Sequence, residues 1–265
     1  MGRGALPVRK ARLITRRDAV VFGAAGAAAW GAASMAPCAW AQADGTSVRQ
    51  FSGKALHAEQ GRWLYTEQHR QLYRGDRWLS GTIRYISPEG RLLAEKTLDF
   101  SQDRYIPLSR TVFHTTGQEE LITQIDAEQV TMQTLRDGQR KTREVKRAPV
   151  MAADSGFHGF IQQNLEELAA GKPLQLAFGV ISQHTTFRFR IRRTETRTVG
   201  SRAAVVLVAE PDSLLRMVAD PLTLVYDLRT RDLLEYVGLS NLEDPQTGKT
   251  PKVRITYEFG TPGAA

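Results

Sequence analysis

Apolar and polar residues alternate with a period of two over most of the chain beyond Lys54, as they do in a half-buried antiparallel sheet. The clearest example is the stretch after Thr185, where Phe187, Phe189 and Ile191 alternate with three arginines. Turn-forming residues recur at short intervals and indicate hairpin connections. The pattern predicts strands at about 62–73, 78–86, 91–100, 120–126, 129–135, 139–147, 174–180, 184–194, 203–209, 221–227, 231–237 and 251–259.

One segment has the period of a helix instead, because its apolar residues are spaced three or four apart and share one face. These residues are Phe157, Phe160, Ile161, Leu165 and Leu168. Asp154 or Ser155 is a candidate N-cap in front of the stripe, and Gly171 follows it as a stop signal. The sequence therefore predicts one helix at about 156–170, and a short helical turn from Asp212 to Val218.

These elements define the expected fold class. A flat sheet of so many strands would leave an apolar face uncovered, so we expect a mainly β fold in which a strongly curved, half-barrel-like antiparallel sheet wraps one amphipathic helix. No repeat, low-complexity tract or linker divides residues 44–265, which predicts a single β-rich domain.

The first 43 residues have the three parts of a signal peptide: a basic head, an Ala/Gly-rich apolar stretch and a small-x-small cleavage site. Thr15-Arg16-Arg17-Asp18 in the head resembles the twin-arginine signal, with Ala19 where that signal usually has Phe or Leu. Ala41 and Ala43 form the cleavage site. We expect the export translocase as a transient partner and a mature protein that is periplasmic.

Two alternatives to a removable signal are a permanent membrane anchor and a lipidated cysteine. Glycines dilute the apolar stretch below what a membrane span needs, so no permanent span is expected. Pro37 precedes Cys38, where a lipoprotein signal has a small Gly or Ala. Both features favour cleavage after Ala43.

Removal of the signal changes the charge and the cysteine content. The full chain has a formal net charge of +8 from 36 basic and 28 acidic residues. Six of the basic residues and one of the acidic residues lie in the signal, so the mature charge is only about +3. This basic excess is too small to indicate nucleic-acid binding, and the mature chain contains no cysteine, so it has no disulfide.

The strand at 62–73 carries the candidate site. Its odd positions put Trp63, Tyr65, Glu67 and His69 on one face. A carboxylate beside an imidazole can form a general acid/base pair, and it can equally belong to an ordinary polar cluster. The five histidines are scattered one per element and no catalytic, nucleotide or metal motif occurs, so we expect no metal, no cofactor and no catalytic residue.

Four segments of the mature chain resemble a group of uncharacterised exported proteobacterial proteins. They are Tyr65-Thr66-Glu67-Gln68-His69; Pro88-Glu89-Gly90 with Lys96-Thr97-Leu98-Asp99-Phe100; Asp154-Ser155-Gly156-Phe157 with Phe160-Ile161; and Tyr226-Asp227 through Thr230 to Tyr236-Val237-Gly238-Leu239-Ser240-Asn241. By architecture the chain is also similar to the periplasmic lipid and lipoprotein carriers, whose open half-barrel holds an acyl chain around a helix. That similarity implies a fold and leaves the function to be argued from a site.

Three functions follow from these observations. The first is a non-enzymatic envelope protein that shelters a lipid or acyl chain, with Trp63, Tyr65, Phe187 and Phe189 lining the concavity and Glu67 and His69 orienting the ligand. The second is a ligand-free structural or interaction module with an envelope protein as its partner. The third is a hydrolase that uses the Glu67 and His69 pair. Cavity volume separates the first two, because a binder needs unfilled space.

Replacing Arg16 and Arg17 together with Lys should retain the precursor in the cytoplasm, because the twin-arginine pathway recognises the arginine pair whereas the general pathway needs only positive charge. Fractionation followed by immunoblotting measures this. Export of the Lys-Lys variant at the wild-type level would mean that the general pathway is used. N-terminal sequencing of wild-type mature protein should start at Asp44.

Overall fold

A single sheet of fifteen strands dominates the protein. A computed structural model describes residues 45–211, 221–244 and 247–259, which all belong to one compact unit, Gln42–Ala265. The signal peptide expected at residues 1–43 and the helical turn expected at 212–218 lie outside the described residues. The strands are β1 (Thr46–His57), β2 (Trp63–Arg74), β3 (Arg77–Ile86), β4 (Leu92–Asp99), β5 (Leu108–Phe113), β6 (Gln118–Ile125), β7 (Gln129–Arg136), β8 (Gln139–Lys146), β9 (Met151–Ala153), β10 (Leu174–Val180), β11 (Thr185–Val199), β12 (Arg202–Pro211), β13 (Leu222–Asp227), β14 (Leu233–Leu239) and β15 (Lys252–Phe259).

The strand order is that of two meanders joined at the first and last strands. The order across the sheet is β8-β7-β6-β5-β4-β3-β2-β1-β15-β14-β13-β12-β11-β10-β9. β1 pairs with β15, so the two halves of the chain meet in the middle of the sheet. Neighbouring strands are antiparallel except β9 and β10, which are parallel. The hairpin connections expected from the turn residues account for most of this order.

The two edges of the sheet are held close together by the chain itself. β8 and β9 lie at opposite edges, yet only residues 147–150 connect them. A flat sheet of this size would be roughly 65 Å wide at the usual strand spacing, whereas the connection reaches at most about 17 Å. The sheet must therefore curl. A 3₁₀ helix (Ile181–Gln183) next to β10 packs on β6 and β7, and His184 after it lies 3.3 Å from the Thr134 hydroxyl.

The expected mainly β fold with a strongly curved sheet is confirmed. All twelve predicted strands are present, and the sequence pattern missed three more: β1, β5 and β9. β9 has three residues, which is too short for an alternation to show. β1 contains Gly53 within a largely polar stretch, so its inward positions do not stand out as apolar.

Two short helices occupy the segment for which one helix was predicted. They are α1 (Gly156–Gln163) and α2 (Leu165–Ala169), and Asn164 between them has a non-helical backbone. The Asn164 side-chain amide donates to the Phe160 carbonyl at 2.8 Å. Asparagine side chains compete with the helical backbone in this way, which explains the interruption.

The apolar stripe docks the helical segment on the concave face. Phe160, Ile161, Leu165 and Leu168 are buried and pack against inward residues of β10 to β13. Gly156 allows the close approach at the start of α1, because a Cβ there would lie 1.8 Å from the Tyr105 carbonyl oxygen. The helices therefore cover the half of the concave face that β10 to β13 form.

Replacing Phe160 with Ala should lower the free energy of unfolding by about 3–5 kcal/mol, because its buried ring meets Tyr105 edge to face at 5.5 Å. Chemical denaturation measures the loss. Glu167→Ala on the exposed side of α2 is the matched control and should change stability by less than about 0.5 kcal/mol. A Phe160→Ala loss below about 1 kcal/mol would contradict a packed helix.

Candidate ligand-binding site

A cavity of about 160 Å³ lies between the concave face of the sheet and the start of the helical segment. The sheet side comes from β1 to β4 and from β14 and β15. The opposite wall is the start of the helical segment, with Asp154, Ser155, Phe157 and His158. Inward alternation on each strand places these side chains on a common surface. The site is therefore assembled from both halves of the chain.

Glu67 is the buried carboxylate of this cavity, and its side chain is only 3% exposed. It accepts hydrogen bonds from the Tyr257 hydroxyl at 3.0 Å and from His69 Nε2 at 2.9 Å. The Asn241 amide donates to its other oxygen at 3.5 Å. A buried carboxylate is tolerated only with such partners, so these three side chains fix its orientation.

Gly53 makes the Tyr257 hydrogen bond possible. Glu67, Gly53 and Tyr257 lie in one row across β2, β1 and β15. A Cβ at Gly53 would lie 2.6 Å from the Tyr257 ring, which crosses β1 at this point. The missing side chain therefore lets a residue of the last strand reach a carboxylate two strands away.

The orientation of the His69 ring is fixed by contacts on one face and at one nitrogen. Its ring stacks on Phe51 with centroids 4.3 Å apart and an interplanar angle of 10°, and its side chain is 10% exposed. Nε2 lies against Glu67, while Nδ1 is buried without a hydrogen-bond partner among the described residues. In a catalytic triad the second ring nitrogen contacts a nucleophile, so the described residues contain the carboxylate and the imidazole of a triad without its hydroxyl.

The charge of Glu67 acts on the tyrosines around it. Burial and then the Glu67 charge raise the pKa of Tyr65, Tyr85 and Tyr257 well above the ordinary value. The pKa of Tyr236 is raised by the same two causes. These phenols stay protonated, so their hydroxyls remain available as hydrogen-bond donors.

Two ion pairs cross the cavity walls. Arg49 of β1 pairs with Asp232, and Lys96 Nζ of β4 lies 2.6 Å from Asp154 Oδ1 at the start of α1. The Asp154 side chain also accepts from the Ser155 backbone N–H at 2.6 Å and from its hydroxyl at 2.9 Å. Ser155 is the N-cap by position and makes no side-chain cap bond. Asp154 thus anchors α1 to β4 instead of capping the helix.

His158 is the buried imidazole on the helix side of the cavity. Its Nδ1 lies 2.8 Å from the Tyr226 hydroxyl, and the two rings stack with centroids 5.5 Å apart. Desolvation, followed by the charges of Arg49 and His69, lowers the pKa of His158 to about 3. His158 is therefore neutral at every pH at which the protein is expected to work.

Only two of the six residues predicted to bind ligand line the cavity. Glu67 and His69 line the cavity, whereas Tyr65 packs beside it with its hydroxyl 3.1 Å from Ser240 Oγ. Phe189 packs with the cluster under the helices, and its ring lies 6.0 Å from Phe178. Phe187 is half-buried next to Phe189 on β11, outside the cavity lining.

Trp63 does not share the inward face of Glu67, contrary to the simple alternation. The register between β1 and β2 shifts at Leu56, which pairs with Trp63 although its neighbour Ala55 pairs with Tyr65. The extra residue, Leu64, is buried, and Trp63 is 39% exposed under the Lys54 ammonium group. A β-bulge of this kind reverses the facing of every residue beyond it.

The sequence pattern missed the cavity residues that lie outside β2. Arg49 and Phe51 belong to the unpredicted strand β1, and Asp154 was assigned to the helix cap. His158 could have been found, since it precedes Ile161 by three residues and Leu165 by seven and therefore shares the buried face of the helix. All four segments that resemble exported proteins contribute to the cavity, through Glu67, Lys96, Asp154 and Asn241 among others.

Comparison with known proteins gives structural likenesses alone. No protein-family model matches the sequence, and neither does any curated protein. A β-barrel-like protein of the domain of unknown function DUF1849 from Brucella abortus shares 6% identity over 81% of this chain and 97% of its own, with a TM-score of 0.39. A DUF1329 family protein from Desulfovibrio piger shares 8% identity over 84% and 89%, with a TM-score of 0.25. A domain assigned as an outer membrane lipoprotein-sorting protein, from Vibrio parahaemolyticus, shares 10% identity over 84% and 88%, with a TM-score of 0.24. These scores are low, so the likenesses assign no function to this chain.

Within residues 45–211, 221–244 and 247–259, no three His, Cys, Asp or Glu side chains cluster as a metal ion would require. In the same ranges, no helix has the length and apolar character needed to span a membrane.

Replacing Gly53 with Ala should lower the free energy of unfolding by about 1–3 kcal/mol, because the new methyl group displaces the Tyr257 ring from Glu67. A double-mutant cycle with Tyr257→Ala should give a coupling energy of about 0.5–3 kcal/mol. Tyr73→Ala at the far end of β2 is the control partner and should add to Gly53→Ala within about 0.5 kcal/mol. Additivity with Tyr257→Ala would contradict the proposed contact.

Proposed function

We propose that this protein is a non-enzymatic binding protein of the cell envelope that shelters a small ligand in the cavity between α1 and the curved sheet. The observation that carries the proposal is an unfilled cavity whose walls combine aromatic rings with a buried, oriented carboxylate. Apolar walls with a few fixed polar groups are typical of small-molecule sites. Glu67 and the His69 ring beside it would orient the polar end of the ligand, and the rings would cover its apolar body.

The cavity volume limits what the site can hold. A cavity of about 150 Å³ holds a molecule the size of benzene, whereas drug-sized ligands need about 300–1,000 Å³. The volume of about 160 Å³ thus supports a compact ligand or one end of a longer one. An entire lipid would need more space than this cavity provides.

A second cleft gives a longer ligand somewhere to continue. It measures about 420 Å³ and lies between β1, the β2–β3 turn and α1. Arg49 and Trp78 line both spaces and therefore stand between them. In this proposal an acyl chain would place its polar end near Glu67 and would pass these two side chains on its way outward.

The proposed location is the periplasm, on the strength of the twin-arginine-type signal with Arg16 and Arg17. The resemblance to exported bacterial proteins and to the half-barrel lipid carriers supports the same location. An envelope protein that receives or delivers the ligand would be its partner.

The mature protein should bind straight-chain alcohols from butanol to decanol, measured by titration calorimetry. Each added CH₂ should contribute about 0.8 kcal/mol while the chain fills apolar space. The length at which the gain stops reports whether the chain stays within the cavity or continues past Trp78. No binding across the series would leave the ligand-free module as the function.

A matched pair of substitutions tests the place of binding. Ile83→Phe adds volume to the cavity wall and should weaken decanol binding. Ile122→Phe makes the same change in a packed cluster, where overpacking should cost about 1–3 kcal/mol of stability and leave binding intact. The opposite outcomes at the two positions would place the ligand elsewhere.

A further inference from the structure

The charges that line the cavity do not balance. Three carboxylates face it, from Glu67, Asp154 and Asp232. The Arg49 guanidinium and the Lys96 ammonium group are the two permanent cations of the same lining. Each of these cations is already paired, Arg49 with Asp232 and Lys96 with Asp154. Glu67 is therefore the carboxylate of the lining that has no permanent cation opposite it.

The two histidines of the lining are not permanent cations. His158 is neutral because burial holds its pKa at about 3. His69 donates from Nε2 to Glu67, and its Nδ1 is buried without a hydrogen-bond partner in the described part of the chain. Glu67 is therefore held by hydrogen bonds and has no permanent cation against it.

The aromatic walls suit a cation. The Arg49 guanidinium already lies over the rings of Phe259 and Phe51, at 5.0 Å and 6.0 Å from their centroids. The Tyr257 and His69 rings meet edge to face with centroids 5.8 Å apart, and the Tyr257 hydroxyl donates to Glu67. Aromatic faces around an enclosed space attract quaternary and other organic ammonium groups, and the attraction is strongest where water is excluded.

We infer that the cavity selects an organic monocation with a compact apolar body, a quaternary ammonium group or an alkylamine head, whose charge lies against the aromatic wall near Glu67. The inference rests on the proposed function, since it names the class of ligand for the same cavity. Such a head group fits the volume of about 160 Å³, and any chain attached to it would leave through the cleft beyond Arg49 and Trp78. The bound cation would balance the Glu67 carboxylate.

Choline and 3,3-dimethylbutan-1-ol test the inference, because they have the same shape and differ in a single positive charge. Titration of the wild-type mature protein should give choline at least about a tenfold lower Kd. In Glu67→Gln that preference should fall to less than about twofold, since the amide keeps the shape without the charge. Glu119→Gln, which removes a partly exposed carboxylate paired with Arg110 outside the cavity lining, is the control and should keep the wild-type preference.

The outcomes separate this inference from the proposed function. Equal affinities, or tighter binding of the neutral alcohol, would overturn the cationic ligand class while leaving a binding cavity. A choline preference that survives Glu67→Gln would overturn the role of Glu67. Failure of both compounds and of the straight-chain alcohols to bind would overturn the proposed function itself. The comparison of the two compounds needs wild-type protein alone, so it decides the ligand class even where Glu67→Gln does not fold.

Discussion

The connection between β8 and β9 is the constraint on which the rest of the structure depends. Four residues, 147–150, link the two edges of a fifteen-stranded sheet. Since they reach about 17 Å at most, the sheet has to curl, and the curl creates a concave face. The helical segment that follows β9 then lies directly over that face, where its apolar stripe is buried. Curvature, helix placement and the cavity thus have one common cause.

The cavity exists because the helices are short. Asn164 interrupts the helical segment, and α1 and α2 together cover the inward residues of β10 to β13. The other half of the concave face carries Glu67 and His69 and is filled by aromatic side chains only in part. A polar cluster is stable there because each buried charge of the walls has a partner at hydrogen-bond distance.

In the middle of the sheet, the pairing of β1 with β15 positions residues of the site. β1 and β15 are the first and last strands of the described chain, and Gly53 and Tyr257 lie directly opposite each other at their junction. The hydroxyl of Tyr257 reaches Glu67 across the bare backbone of Gly53. A buried carboxylate that is held by three side chains cannot turn away from the cavity, and this rigidity is what a selective binding site requires.

Local patterns in the sequence determined the class of fold. Period-two alternation located twelve of the fifteen strands, and the apolar stripe at 157–168 located the helical segment, because side-chain facing follows from backbone geometry within a few residues. The same alternation placed Glu67 and His69 side by side, and they are hydrogen-bonded. The sequence did not predict their cavity. Long-range strand pairing and sheet curvature bring Glu67 and His69 together with Arg49, Asp154, His158 and Tyr257. The facing of Trp63 was likewise decided by a bulge against β1, which is a property of the pair of strands and of neither strand alone.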